Sequence, residues 1–143
     1  MASRWSVSLS AGPAAEAVLG VSTRSGAYAL IGVGYAFARV PLEMRVDAMT
    51  VSCANTRGYG SLNANAVLPI GRIAALGPVL RPYLLGGVGL AEFRARVTSP
   101  AAFAAQVGGG MRIMRTKYGG FAEWRHHSAY RRSFLSAGFI LRP

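Results

Sequence analysis

The chain has 143 residues, of which 52% are hydrophobic and 15% charged, and it contains 18 glycines. This length gives room for one domain, residues 1–143, and excludes a second. Soluble domains usually carry more charge on their surface, so the composition predicts an exterior that faces something other than water. The net charge of +11 comes almost entirely from arginine.

No segment has the length and hydrophobicity of a membrane-spanning helix. The longest stretch without a charge, residues 97–111, contains Pro100 and three consecutive glycines, and a spanning helix needs roughly 18 to 20 apolar residues. If the chain crosses a membrane, it must cross as strands.

Apolar and polar residues alternate with a period of two from the amino terminus onward, which indicates β-strands. In the first segment Trp5, Val7 and Leu9 share one face while serines occupy the other. Turn-forming residues separate eight such segments, so we predict an all-β fold made of hairpins. The predicted strands are residues 5–11, 27–37, 42–51, 61–68, 81–96, 103–113, 122–127 and 133–141.

The connections fall into two groups. Short turns are expected at residues 39–41 and 116–119, with a longer connection at 69–80 that holds two prolines and two glycines. The other four connections are expected to form outward loops. These loops are too short to form a large adhesive surface. The predicted loops are residues 13–25, 54–59, 97–102 and 129–132.

The polar face identifies which side points inward. It mixes charges of both signs within one strand, as at Glu43, Arg45 and Asp47, and is otherwise rich in glycine, serine and asparagine with hardly any lysine. Such a face suits a narrow lumen, because side chains just fill an eight-stranded barrel and unpaired charges would be costly there. We predict a lumen network of Glu43, Arg45, Asp47, Asn63, Asn65, Glu92, Arg94, Gln106, Arg112, Glu123 and Arg125.

The apolar face then contacts lipid. We predict an eight-stranded antiparallel up-and-down transmembrane β-barrel, while a soluble, lipocalin-like ligand-binding barrel with the faces reversed is the alternative. Aromatic side chains are typical of the interfacial girdles of membrane barrels. The predicted lipid-facing girdle consists of Trp5, Tyr35, Phe37, Tyr83, Phe93, Phe103, Trp124 and Phe139.

Three segments resemble strands of the small OmpA-like or OmpX-like outer-membrane β-barrel domain family: LEMRVDAM at 42–49, RPYLLGGVGL at 81–90 and GGFAEWRH at 119–126. The resemblance covers most of the chain from Ala27 onward. It implies an eight-stranded barrel with both termini in the periplasm. Family members end on an aromatic residue that the assembly machinery reads, whereas Phe139 is the one candidate for that role here.

One segment could be catalytic. His126 and Ser128 loosely resemble the His-x-Ser motif of outer-membrane lipid A deacylases, and their parity places both on the lipid-facing side. A serine nucleophile needs an oriented base and an oxyanion site, but Ala129 stands where that family has asparagine and no acidic residue follows Glu123. The expectation is therefore a barrel without enzymatic activity, with deacylase-like hydrolysis as the alternative.

The expected partners follow from charge and location. The arginines are dispersed at segment ends without a basic helix or an aromatic RNA-binding signature, so we expect no nucleic acid. Guanidinium groups there suit lipid and lipopolysaccharide phosphates. We expect a monomer in the outer membrane of a Gram-negative-type bacterium, exported although residues 1–5 lack a signal sequence. A single cysteine, Cys53, provides no disulfide or metal centre, and no cofactor is expected.

Overall fold

A computed structural model of the chain describes residues 4–15, 25–53, 58–74, 79–93, 102–128 and 132–143. Eight long strands dominate it. A two-residue strand, Ile73–Ala74, also lies between the fourth and the fifth of them. The long strands are β1 Trp5–Ala15, β2 Ser25–Ala36, β3 Glu43–Cys53, β4 Gly58–Pro69, β5 Val79–Phe93, β6 Ala102–Met114, β7 Tyr118–His127 and β8 Arg132–Leu141.

The strands form one closed antiparallel ring. Each pairs with the strand that precedes and follows it in the chain, and β8 pairs with β1, so that Leu9 lies opposite both Ile31 and Phe139. Closure leaves no free edge among the eight long strands, which is the condition for strands in hydrocarbon, where unpaired backbone groups cost several kcal/mol. The predicted eight-stranded antiparallel barrel is confirmed.

The two ends of the barrel differ. The short turns after β2 and β6 lie at the end that also holds both chain ends, where the amide of Arg142 donates to the carbonyl of Lys117. We call this the terminal end, and the opposite end the loop end. The predicted 69–80 connection contains the hairpin in which Ile73 pairs with Leu80. Residues 16–24, 54–57, 94–101 and 129–131, which make up most of the predicted loops, lie outside the described residues.

The side-chain faces have the reverse arrangement of a soluble protein. Large hydrophobic side chains point outward on every long strand, and Leu62, Leu135 and Phe139 are 58%, 57% and 79% exposed. Charged and amide side chains point inward, where Arg45, Asp47 and others are almost fully buried. Among the described residues, no helix is long and apolar enough to cross a membrane.

Strand β5 corrects the sequence analysis. Tyr83 was expected on the outer face, but it is buried inside together with Leu85 and Ala91, which share its face, and Leu84 and Leu90 are exposed instead. Both faces of this strand consist of apolar and small residues, so period two alone could not distinguish them. Register decides, because Asn63 and Asn65 of β4 lie opposite Gly89 and Gly87, and paired residues of adjacent strands share a face.

The lipid-facing assignment of Tyr83 is therefore wrong. The same strand held two other predictions, that Glu92 belongs to the lumen and that Phe93 belongs to the girdle. The side chains of Glu92 and Phe93, and the whole of Arg94, lie outside the described residues.

A charge placed on the outer face tests its environment. Leu62 lies outward near the middle of β4, so Leu62→Arg should lower the free energy of unfolding in lipid vesicles by about 2 to 4 kcal/mol, the cost of arginine near the bilayer midplane. Urea titration monitored by tryptophan fluorescence measures this loss. Thr116→Arg, in an exposed turn, should change it by less than about 0.5 kcal/mol. If Leu62→Arg lowered the free energy of unfolding as little as Thr116→Arg does, the outer face would contact water.

Candidate functional site: the lumen network

Arg125 is the centre of the lumen. Its side chain is 1% exposed, and three polar partners from three strands surround it. Its Nη1 donates to Asp47 Oδ1 at 3.1 Å and to Gln106 Oε1 at 3.0 Å, while its Nη2 donates to Glu123 Oε1 at 2.6 Å. Charge-assisted hydrogen bonds of this kind are about twice as strong as neutral ones, so Arg125 ties β3, β6 and β7 together inside the barrel.

Arg45 completes a ring of alternating charge. Its Nη2 donates to Glu123 Oε2 at 2.8 Å, and its Nε lies 3.4 Å from Asp47 Oδ2. Each arginine thus contacts both carboxylates, and the four charges sum to zero. We call Arg45, Asp47, Glu123 and Arg125 the charge ring. Neutrality matters because an unpaired charge in so buried a place would cost several kcal/mol.

Neutral polar side chains satisfy the remaining carboxylate positions. Asn63 and Asn65 donate their Nδ2 groups to the two oxygens of Asp47, at 3.1 and 2.7 Å, and Gln106 Nε2 donates to Asn65 Oδ1. Tyr83 Oη donates to Glu123 Oε2 at 2.8 Å, which gives a physical reason for its inward orientation. His127 Nε2 lies 3.4 Å from Asn63 Oδ1 and extends the network toward the loop end.

Glycines make room for these long side chains. In the strand registers Gly34 lies opposite Arg45, Gly108 opposite Arg125 and Gly110 opposite Glu123. A Cβ atom added at Gly110 would lie 2.6 Å from Tyr83 Oη, well inside van der Waals contact. At this position the lumen is thus packed so closely that a methyl group on Gly110 would not fit beside the network.

Apolar layers enclose the charge ring on both sides. Toward the loop end Tyr28 packs edge to face on Phe134, with ring centroids 5.0 Å apart, within a buried cluster that also contains Leu30, Met49 and Val51. Toward the terminal end Val67, Tyr83 and Leu85 form a second cluster. The sequence analysis missed both clusters because it expected a wholly polar lumen. The available signal was the parity of Tyr28 and Leu30, which share a face with Gly32 and Gly34.

A second ion pair lies at the terminal end. Arg112 Nη1 donates to Glu43 Oε2 at 2.9 Å, and the Arg112 guanidinium lies 5.1 Å from the centre of the Tyr83 ring, within the range of a cation–π interaction. Arg142 Nη2 lies 3.7 Å from the same Glu43 oxygen.

Nine of the predicted lumen residues are buried in the lumen. They are Glu43, Arg45, Asp47, Asn63, Asn65, Gln106, Arg112, Glu123 and Arg125.

The outer aromatic residues concentrate at the terminal end. Tyr35 packs edge to face against Trp5 and Phe37, with centroid distances of 4.9 and 5.5 Å. Phe103, Trp124 and Phe139 are also on the outer face, where each is at least 46% exposed. Rings that carry a polar atom, such as Trp5 and Tyr35, are suited to the boundary between hydrocarbon and headgroups.

The structure does not bring His126 and Ser128 together as a hydrogen-bonded pair. Ser128 Oγ accepts from the backbone amide of Ala105 at 2.8 Å, and His126 Nδ1 lies 3.2 Å from Ser133 Oγ on the neighbouring strand. The sequence analysis missed Ser133 because it is seven residues from His126 in sequence and contacts it only through the hairpin register.

Within the described residues, no group of three or more His, Cys, Asp or Glu side chains could hold a metal ion.

Comparison with known proteins relates the chain to solved structures and not to a sequence family. No protein-family model matches the chain, and no curated protein matches it. The crystal structure of Neisserial surface protein A superposes with a TM-score of 0.76 over 100% of this chain and 99% of that one, at 18% sequence identity. At this identity the likeness shows the fold alone, an eight-stranded antiparallel barrel.

Removal of one cation should unbalance the charge ring. Arg125→Ala leaves Asp47 and Glu123 with a single arginine, so we expect the free energy of unfolding to fall by about 3 to 5 kcal/mol. Denaturant unfolding in vesicles measures the loss. Asp47→Asn introduced in the Arg125→Ala background should restore part of it, because it removes the excess negative charge, while alone it should destabilise.

The matched control is Arg115→Ala, at an exposed turn residue, with an expected change below about 0.5 kcal/mol. If Arg125→Ala also lost less than about 1 kcal/mol, the value typical of surface ion pairs, the buried position of the charge ring would be contradicted.

Proposed function

We propose that the chain is a small integral outer-membrane β-barrel without enzymatic activity, which has a structural role or mediates interactions through its short outward loops. The observation that carries this proposal is the combination of an apolar exterior with a neutral, buried charge ring. An apolar exterior is stable in the hydrocarbon of a bilayer. A narrow closed lumen requires that the charges inside it be paired. The finer assignment, to the OmpA-like or OmpX-like family, rests on the three sequence segments that resemble it.

Strand length supports a spanning role. The long strands contain 10 to 15 residues, and about 9 to 11 tilted residues cross a bilayer. In this proposal the terminal end faces the periplasm and the loop end faces outward. Lipids and lipopolysaccharide are the surrounding partners, the outer-membrane assembly machinery inserts the chain, and Phe139 is the residue it would read. Closure of every sheet edge favours a monomer.

The soluble, lipocalin-like alternative requires a different distribution of residues. A soluble ligand-binding barrel encloses an apolar cavity and presents polar residues to water. Here the middle of the lumen is filled by the charge ring, and Leu62, Leu90 and Leu135 point outward. A solute pathway is disfavoured for the same reason, because glycines rather than open space accommodate the long side chains.

Folding in a membrane environment tests the proposal. Unfolded protein diluted into phospholipid vesicles should acquire β-structure and migrate on gels as a faster band when unheated than when boiled, because a closed barrel resists detergent at room temperature. Arg125→Ala should convert to the slower band at a lower temperature. A chain that is folded and monomeric in buffer without detergent or lipid would contradict the proposal and favour the soluble barrel.

Hydrolysis is the second candidate, and one observation favours it: the contact of His126 Nδ1 with Ser133 Oγ. Histidine can activate serine, but a catalytic serine also needs a group that orients the base and donors for the oxyanion. No carboxylate hydrogen bond to His126 occurs in the described part of the chain.

We therefore expect purified protein in micelles that contain lipid A to release no fatty acid beyond that released by Ser133→Ala, Ser128→Ala or His126→Ala. Mass spectrometry of the extracted fatty acids is the measurement. Release of a hydroxy fatty acid by the wild type that disappears in His126→Ala and in one serine variant would overturn the non-enzymatic assignment and identify the nucleophile.

A further inference from the structure

A cavity of about 220 Å³ opens at the terminal end of the lumen. It is far larger than the roughly 30 Å³ that a single water takes in the liquid. Its wall contains both cationic and apolar side chains. The residues that matter here are Arg81, Arg112, Arg142, Phe37, Val40 and Leu42, together with Glu43.

The charges in this cavity do not balance. Glu43 is the one carboxylate in its wall, and it accepts from Arg112 at 2.9 Å while Arg142 approaches it at 3.7 Å. Asp47 and Glu123 are engaged by the charge ring. The wall of the cavity therefore holds three guanidinium groups and one carboxylate, which contacts two of them, in contrast with the neutral charge ring.

Two further observations favour anion binding in this cavity. Arg112 is only 7% exposed, yet its Nε has no hydrogen-bond partner among the described residues, although buried donors are nearly always satisfied. Burial lowers the pKa of the Arg142 guanidinium, and so do the charges of Arg112 and Arg81, while Glu43 raises it. An anion beside these arginines would offset the unfavourable interaction between their charges.

We propose that this cavity binds a phosphate group, held by Arg112 and Arg142 with Arg81 at its mouth. Guanidinium groups bind phosphate through paired N–H donors whose planar geometry matches the oxygens. Phe37 and Val40, which are 43% and 51% exposed at the rim, would contact the carbon skeleton attached to the phosphate. A phospholipid headgroup has this composition, and its presence at the terminal end rests on the proposed membrane location. Free phosphate shares the anionic chemistry without the apolar part.

The test uses folded protein in neutral maltoside micelles, titrated with inorganic phosphate and separately with short-chain phosphatidylglycerol, and followed by calorimetry. We expect one saturable site. Arg142→Gln and Arg81→Gln should each weaken binding about tenfold or more, since a hydrogen bond to a charged group contributes about 1.5 to 3 kcal/mol. Arg115→Gln removes a charge from an exposed turn outside the cavity wall and should change the affinity less than twofold.

The two titrations distinguish the sources. Lipid binding at least tenfold tighter than that of inorganic phosphate, with competition between them, indicates a headgroup site, while equal affinities indicate a site for the free anion. The proposal is overturned if binding is not saturable, or if Arg115→Gln weakens it as much as Arg142→Gln does. If the wild-type protein shows the heat-dependent gel shift but binds neither phosphate nor the lipid, the phosphate site is overturned and the membrane assignment stands.

Discussion

The requirement that charges be paired inside a narrow closed barrel governs this structure. The charge ring takes two residues from β3 and two from β7. The partners in each ion pair across the lumen, Arg45 with Glu123 and Asp47 with Arg125, are 78 residues apart in the chain. Removing such charges from water is expensive, and their mutual attraction offsets the cost only when the geometry is good and every remaining hydrogen-bonding position is filled. Asn63, Asn65 and Tyr83 donate to the two carboxylates, and Gln106 accepts from Arg125. Most hydrogen-bonding positions of the ring are thus filled, with Arg45 Nε the exception among the described ring atoms, and this arrangement of the interior is favoured.

That requirement extends to the backbone. A long charged side chain that points into an eight-stranded barrel leaves little space for its neighbours, and the strands therefore place glycine opposite the ring members. Gly32 faces Asp47, Gly34 faces Arg45 and Gly108 faces Arg125. Apolar clusters above and below the ring keep its surroundings low in dielectric. Because side chains alternate between the two faces of a strand, the residues between these inward positions point outward, and most of them are apolar.

Much of the fold could be predicted from sequence, because alternation is clearest where one face is strongly polar. In β3 and β7, three consecutive inward positions carry charged residues or histidine, and the direction of both strands is unambiguous. In β5 leucine and glycine occupy both faces, and only the register with Asn63 and Asn65 fixes the orientation. Tyr83 was misplaced for this reason, although its hydroxyl completes the coordination of Glu123.

The composition of the interior was harder to predict than its position. Alternation reports which residues share a face, but it does not report which layer of the lumen they occupy. The segregation of Tyr28, Leu30 and Phe134 from the charge ring depends on the stagger between strands. The contact of His126 with Ser133 likewise depends on the register of β7 against β8. Alternation therefore predicts which residues line the lumen, but the register between strands is needed to predict which of them contact one another.

The most direct test of the inside-out arrangement uses Trp124, which lies between the buried Glu123 and Arg125 in sequence but is 46% exposed on the outer face. Trp5→Phe leaves it as the one tryptophan of the chain. In vesicles, lipids brominated on their acyl chains should quench its fluorescence strongly, and aqueous iodide should quench it little. Strong quenching by iodide with no effect of the brominated lipids would contradict the lipid-facing exterior and the charged lumen together.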